Sequence, residues 1–260
     1  MLRLGPAGSG GLGNLEGIEY VREKGLDALE VEFTYGVYMP NDAAKTISKR
    51  AKELAVSLSV HAPYYINLAS KEKEKVAASK KRIIDSAEKA HLLGAGYVVF
   101  HAGFYQDRTA DETYRLIRNE VEDILKAIKK KRWAVQLAPE TTGKKSQFGS
   151  LDELLALHGE IGSSVCVDFA HILAREGKID YKNVFDKLKN FKTVHSHFSG
   201  IEYGDKGERK HRITSRKDLM PLLTEIARRD VDITIINESP DPVRDCIKTK
   251  KLYRTIKAAA

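Results

Sequence analysis

The run Val165-Cys166-Val167-Asp168-Phe169-Ala170-His171 is apolar until it breaks into an acid, and an imidazole follows three residues later. A strand core has no use for an ionised carboxylate, because burying one unpaired costs several kcal/mol or more. An Asp at a strand's carboxyl end therefore calls for a metal, a cation or a substrate. Other apolar runs end in the same way, at His61, His101, Glu140, His197 and Glu238, with His171 and His211 on the adjoining loops. This mixture of imidazole nitrogen and carboxylate oxygen suits Zn²⁺, and Mn²⁺ or Fe²⁺ less well. Side chains two apart share a strand face, so Ser59, Val99, Ala138, Cys166, His195 and Ile236 should form a packed layer beneath this polar rim. In that layer His195 reads as a hydrogen-bonding group and Cys166 as a buried thiol. His91 and His158 lie on helical segments and read as packing or surface residues.

The elements that must carry such a rim are legible. A short strand at Leu2-Arg3-Leu4 precedes strands over Ala28–Thr34, Ser57–Ala62, Tyr97–Gly103, Ala134–Glu140, Ser164–Asp168, Thr193–Phe198 and Ile233–Glu238. Helical periodicity fills the intervals near Asn14–Lys24, Ala43–Ala55, Lys71–Leu93, Asp111–Lys129, Leu151–Ile161, Tyr181–Leu188, Arg216–Arg228 and Pro242–Ala258. Strand-then-helix units with short connections and no linker predict an α/β fold, a single (β/α)₈ TIM barrel over residues 1–260. The chemistry then sits at the C-terminal ends of the strands. Gly8-Ser9-Gly10-Gly11-Leu12-Gly13 satisfies a dinucleotide fingerprint, and Glu32 lies near the spacing of a ribose-binding acid. Pro6 interrupts the approach, however, which favours a tight turn or a phosphate-binding loop.

Bulk properties narrow the classes. The 260 residues include 42% hydrophobic ones, enough for a sizeable core. Cys166 and Cys246 have no metal-finger spacing and suit a reducing cytoplasm. No signal segment or membrane span is expected. The formal charge of +8 permits a polyanionic partner without requiring one. Runs such as Lys129-Lys130-Lys131-Arg132 read as solvated helix faces.

Taken together, His61-Ala62-Pro63-Tyr64-Tyr65-Ile66-Asn67-Leu68, His101-Ala102-Gly103, Pro139-Glu140-Thr141-Thr142-Gly143, Asp168-Phe169-Ala170-His171 and His197-Phe198-Ser199-Gly200 resemble the endonuclease IV family of apurinic/apyrimidinic nucleases. The resemblance implies a cytoplasmic, zinc-dependent barrel of base excision repair that cleaves the phosphodiester 5′ to an abasic site in double-stranded DNA through a zinc-activated hydroxide. By that resemblance His61, His101 and Glu140 hold one zinc, and Asp168, His197 and Glu238 hold a second. Glu140 bridges the two, steering the hydroxide as base, and His171 and His211 help hold a third. Tyr64 and Tyr65 match the pair that wedges into the duplex. A monomer is expected. Two departures stand out. The second loop reads Thr34-Tyr35-Gly36-Val37-Tyr38-Met39 where the family supplies an arginine, and Arg209 stands where it supplies an aspartate ligand. Unless Glu208 swings in as ligand, the third site either holds its ion loosely or gives way to Arg209 contacting the phosphate in the ion's place, and the labile third site is the expectation. The alternative is a sugar isomerase or epimerase of the xylose isomerase-like superfamily, in which Glu140, Asp168, His197 and Glu238 alone hold one divalent ion.

Overall fold

A computed structural model describes residues 1–259. The parallel strands form two hydrogen-bonded sets. In one, β1 (Leu2–Pro6) pairs with β10 (Ile233–Asn237), β10 with β7 (Val194–Phe198), and β7 with β6 (Cys166–Asp168). In the other, β2 (Ala28–Glu32), β3 (Ser57–His61), β4 (Tyr97–Phe100) and β5 (Gln136–Pro139) follow chain order. Bridges from Ala7 to Glu30 and from Glu140 to Cys166 join the sets at both seams. The ring of eight that results is the expected barrel.

Helices α1 (Asn14–Glu23), α2 (Asn41–Glu53), α3 (Lys73–Leu93), α4 (Ala110–Lys131), α5 (Leu151–Ile161), α7 (Tyr181–Lys187), α8 (Arg216–Arg229) and α9 (Pro242–Ala259) lie close to the periodic segments. Three of them start at capping boxes, where Thr109, Ser150 and Ser215 each accept from the backbone N–H three residues on. Strand residues that point outwards, such as Val60, Val98, Leu137 and Val167, pack with Ile83, Ile117, Ile124 and Leu154 of the helices in one continuous core. Each such side chain contributes roughly 1.5–3 kcal/mol through burial. The alternate residues face the lumen, where Val99, Ala138 and Cys166 form a separate small cluster against Tyr97.

Two elements lie outside the sequence reading. Helix α6 (Phe169–Glu176) begins directly at the end of β6, with Asp168 as its N-cap. The segment read as a loop after β7 is an antiparallel hairpin of β8 (Gly200–Gly204) and β9 (Gly207–Arg212). Gly207, at φ 95°, and Gly143 let this hairpin settle on the loop after β5, for a Cβ on Gly207 would lie 2.1 Å from the Gly143 carbonyl oxygen. The hairpin thereby overhangs the barrel mouth.

Candidate metal centre

Each rim residue arrives by strand or cap geometry. His61, Asp168 and His197 lie on β3, β6 and β7, while His101, Glu140 and Glu238 follow the last residues of β4, β5 and β10. Asp168 Oδ1 accepts the His171 backbone N–H at 2.7 Å, so one carboxylate both caps α6 and places His171 one turn into it. Its other oxygen, Oδ2, is buried without a hydrogen-bond partner. An orphaned carboxylate oxygen facing imidazoles is what a cation site requires.

Glu140 is the hub. Its Oε2 lies 2.9 Å from His101 Nε2 and 3.3 Å from His61 Nε2, and its Oε1 lies 3.2 Å from His197 Nδ1. His197 Nδ1 is also 3.2 Å from Glu238 Oε1. Ligand-type atoms thus converge in adjoining groups: His61, His101 and Glu140; Glu140, Asp168, His197 and Glu238; and His171, His211 and Glu238. The backbone selects the nitrogen facing the site in two of the histidines. His61 Nδ1 donates to the Ala62 carbonyl at 2.8 Å and His171 Nδ1 to that of Thr141 at 2.9 Å, which leaves both Nε2 atoms facing the site, although His171 Nδ1 also lies 3.2 Å from Glu140 Oε1. The Nε2 atoms of His171 and His211 then stand 3.3 Å apart. Two lone pairs at that distance need a proton or a cation between them.

The charge state agrees. Burial pushes Glu140 up, yet His101 and His197 outweigh it and hold the carboxyl well below the usual range. Burial disfavours the His61 imidazolium, but Glu140 and Glu32 raise it to about 10. His171 and His197 are raised well above the ordinary value against the same burial, by Asp168 and Glu140 for the first and by Cys166, Glu30 and Glu238 for the second. The same concentration of negative charge that favours protonated imidazoles would favour divalent ions.

The third group resolves the hairpin's departure. Glu208 Oε2 lies 3.5 Å from His171 Nε2, and Oε1 lies 3.7 Å from His211 Nε2. Residues three apart on a regular strand face opposite sides. Here the register shifts between Glu202 and Tyr203, so β9 carries an extra residue and Glu208 and His211 share a face. Arg209 is bulged the other way, its guanidinium against Gly204. Of the two residues that could serve the third position, Glu208 turns towards the histidines, and Arg209 is not among the residues lining the pocket.

That pocket, about 390 Å³, is lined by Glu32, Thr34, Tyr64, Glu238 and Ser239 besides the histidines and Glu208. Tyr64 and Tyr65 are exposed on the loop after β3, with the Tyr64 ring 5.8 Å from that of His61. The layer beneath is as expected, with Ser59, Val99, Ala138, Cys166, His195 and Ile236 all buried. Glu30 and Glu32 escaped the sequence reading as site residues, although their spacing puts both acids of β2 on the lumen face. Glu32 reaches the rim pocket, and its Oε1 is buried and unpartnered. Burial pushes that carboxyl up, and the neighbouring acids Glu30 and Glu238 add to the shift, to about 8. No dinucleotide role for Glu32 follows.

Residues 18–256 match the family described as Xylose isomerase-like TIM barrel. The chain belongs to that family. Among its relatives, an uncharacterized protein of Methanocaldococcus jannaschii is 36% identical over 92% of this chain and 91% of its own. A probable endonuclease 4 of Carboxydothermus hydrogenoformans is 30% identical over 76% of each. Two solved structures of this xylose isomerase-like fold superpose along its length. A D-tagatose 3-epimerase-like protein has a TM-score of 0.76 at 18% identity, covering 99% of this chain and 98% of the other. Endonuclease IV from Thermus thermophilus has 0.75 at 20%, covering 99% and 100%. The endonuclease 4 proteins are thus relatives in sequence, while the fold is equally that of epimerases. Among the described residues no helix is long and apolar enough to cross a membrane.

Proposed function

We propose that this chain is a zinc-dependent endodeoxyribonuclease that hydrolyses the phosphodiester 5′ to abasic sites in duplex DNA. The observation that carries the reading is the surplus of ligands. Glu140, Asp168, His197 and Glu238 would suffice for a single divalent ion, but His61 and His101 extend the group on one side and His171, Glu208 and His211 on the other. A ketose isomerase with one ion has no use for these flanking nitrogens. A phosphodiester does, since its attacking, leaving and non-bridging oxygens each carry charge in the transition state. Bound there, divalent ions supply Lewis-acid charge and a water of pKa about 7.

The protein's own groups do the rest. Glu140 joins the first two groups and would take a proton from attacking water. Exposed Tyr64 and Tyr65 offer faces for an unstacked base or the opened step of a kinked duplex. The related probable endonuclease 4 sequence and the net charge of +8 support a DNA partner. The test is nicking of a duplex carrying one abasic site, run beside turnover of D-tagatose and D-fructose. Nicking without ketose turnover is expected. Ketose epimerisation with intact DNA would overturn the reading in favour of a one-metal epimerase.

A further inference from the structure

We propose that Glu30 is a positioning residue that fixes which nitrogen His197 presents to the metal rim. Glu30 sits in the middle of β2, wholly buried in the lumen layer beneath the rim. A bare carboxylate there is costly, and three groups from facing strands converge on it. Its Oε2 accepts from Ser59 Oγ at 2.6 Å and faces His195 Nε2 at 3.2 Å, while Oε1 lies 2.9 Å from His197 Nε2. The Tyr97 ring stacks on His195 at 4.7 Å, which keeps that partner in place.

His197 is oriented opposite to its neighbours. His61 and His171 give Nδ1 to backbone carbonyls and turn Nε2 to the site. His211 contacts Ser199 Oγ through Nδ1 at 2.9 Å and faces His171 through Nε2. His197 turns Nε2 down into the barrel and leaves Nδ1 3.2 Å from oxygens of both Glu140 and Glu238; His171 Nδ1 also lies 3.2 Å from Glu140 Oε1, but the Thr141 carbonyl holds that nitrogen. In the lumen layer below the ring, Glu30 Oε1 faces that Nε2 of His197 and neither atom has another hydrogen-bond partner, while the Cys166 thiol lies close to the same ring. A half-turn about Cβ–Cγ would exchange Nδ1 for carbon Cδ2 at the rim and remove the ligand. A carboxylate on the far nitrogen sets both the tautomer and the ring angle. Glu30 thus does for His197 what backbone carbonyls do for His61 and His171.

The inference rests on the metal reading of the rim and not on the choice of substrate. Long-range ¹H–¹⁵N spectra of the imidazoles, recorded on full-length protein reloaded with zinc, test it directly. His197 should be protonated at Nε2 and metal-shifted at Nδ1, and the reverse assignment would overturn the proposal. Zinc competition against a chromophoric chelator gives the second readout. Glu30→Gln, which keeps volume but loses charge, should weaken one equivalent roughly 10–100-fold with far-UV circular dichroism unchanged. The gentler Ser59→Ala should weaken the same equivalent less, and unchanged affinity in Glu30→Gln overturns the role. Should Glu30→Gln fail to fold, the wild-type spectrum and Ser59→Ala still decide. A chain that takes up no zinc sinks the metal reading as well. Zinc on Nδ1 without any nicking of abasic DNA sinks only the nuclease reading.

Discussion

Glu140 carries more of the site than any other residue, since both its oxygens are shared among imidazoles that belong to different groups. Glu140→Gln replaces a bridging anion with a neutral amide and should lower abasic-site cleavage by about 10³ or more, roughly 4 kcal/mol of barrier. Single-turnover nicking of the folded variant checks this, and near-normal turnover would remove Glu140 from the centre of the chemistry. A second expectation concerns protons. In the metal-free chain His61 is raised to about 10, so it is charged at pH 7, and zinc needs the neutral ring. Zinc uptake at pH 7 should therefore release protons, and affinity should climb as pH rises. The raised histidine stabilises the metal-free fold fully below its unfolded value of about 6.5, and that contribution fades as pH rises towards 10. Calorimetry in buffers of different protonation enthalpy counts the protons; no net release would mean neutral histidines. The rim residues were legible because an acid or imidazole ends an otherwise apolar run. Glu30 and Glu32 were not, since Glu30 sits inside its strand and, with Glu32 two residues on at the strand's end, looks like ordinary polar alternation. The available signal was that a barrel strand is buried on both faces, so an acid two residues from another must have a partner.

Helix α6 and the β8–β9 hairpin decide whether a third ion has a home. Neither was read from the sequence. The α6 start was hidden because Asp168 serves as strand end, cap and rim residue at once, with no loop to announce the helix. The hairpin was hidden because Glu208 and His211 are three apart, a spacing that regular strand alternation forbids. One bulged residue restores them to a common face. The hairpin geometry brings Glu208 to 3.5 Å from His171 Nε2 and 3.7 Å from His211 Nε2, a further ligand for the third group. Metal titration into chelated protein should give three equivalents, with one lost selectively in Glu208→Ala and none in Arg209→Ala. Gly143→Ala offers an independent handle, for the new methyl would come within 2.6 Å of Glu208 Cβ and 3.0 Å of His171 Cδ2. It should push the hairpin away and weaken that same equivalent while leaving the others intact. Equal loss from every site in either variant would mean that the hairpin holds no ion of its own.

Most of the barrel's exposed large hydrophobic side chains lie on the loops that follow its strands, around the rim. Tyr35 and Tyr38 on the loop after β2, Tyr64 and Tyr65 after β3, Phe104 after β4 and Tyr203 on the hairpin are all exposed. The first two loops are tied together, with the Tyr64 backbone N–H donating to the Thr34 carbonyl at 3.3 Å. Tyrosines thus stand on both loops, where the resemblance leads one to expect an arginine on the second. With a formal charge of +8 behind it, this face should bind duplex DNA with a steep salt dependence, because every neutralised phosphate releases counterions. The aromatic part of the affinity should be insensitive to salt and specific to the lesion, where a base is free to stack. Tyr64→Ala should therefore weaken abasic duplex by roughly 1–3 kcal/mol per lost base contact and intact duplex much less. Tyr35→Ala should follow the same pattern if the second loop shares the wedge. Fluorescence anisotropy on paired abasic and intact duplexes across a salt series separates the two contributions. A flat salt response would return the site to a small neutral substrate, and equal losses on both duplexes would leave the tyrosines as mere surface.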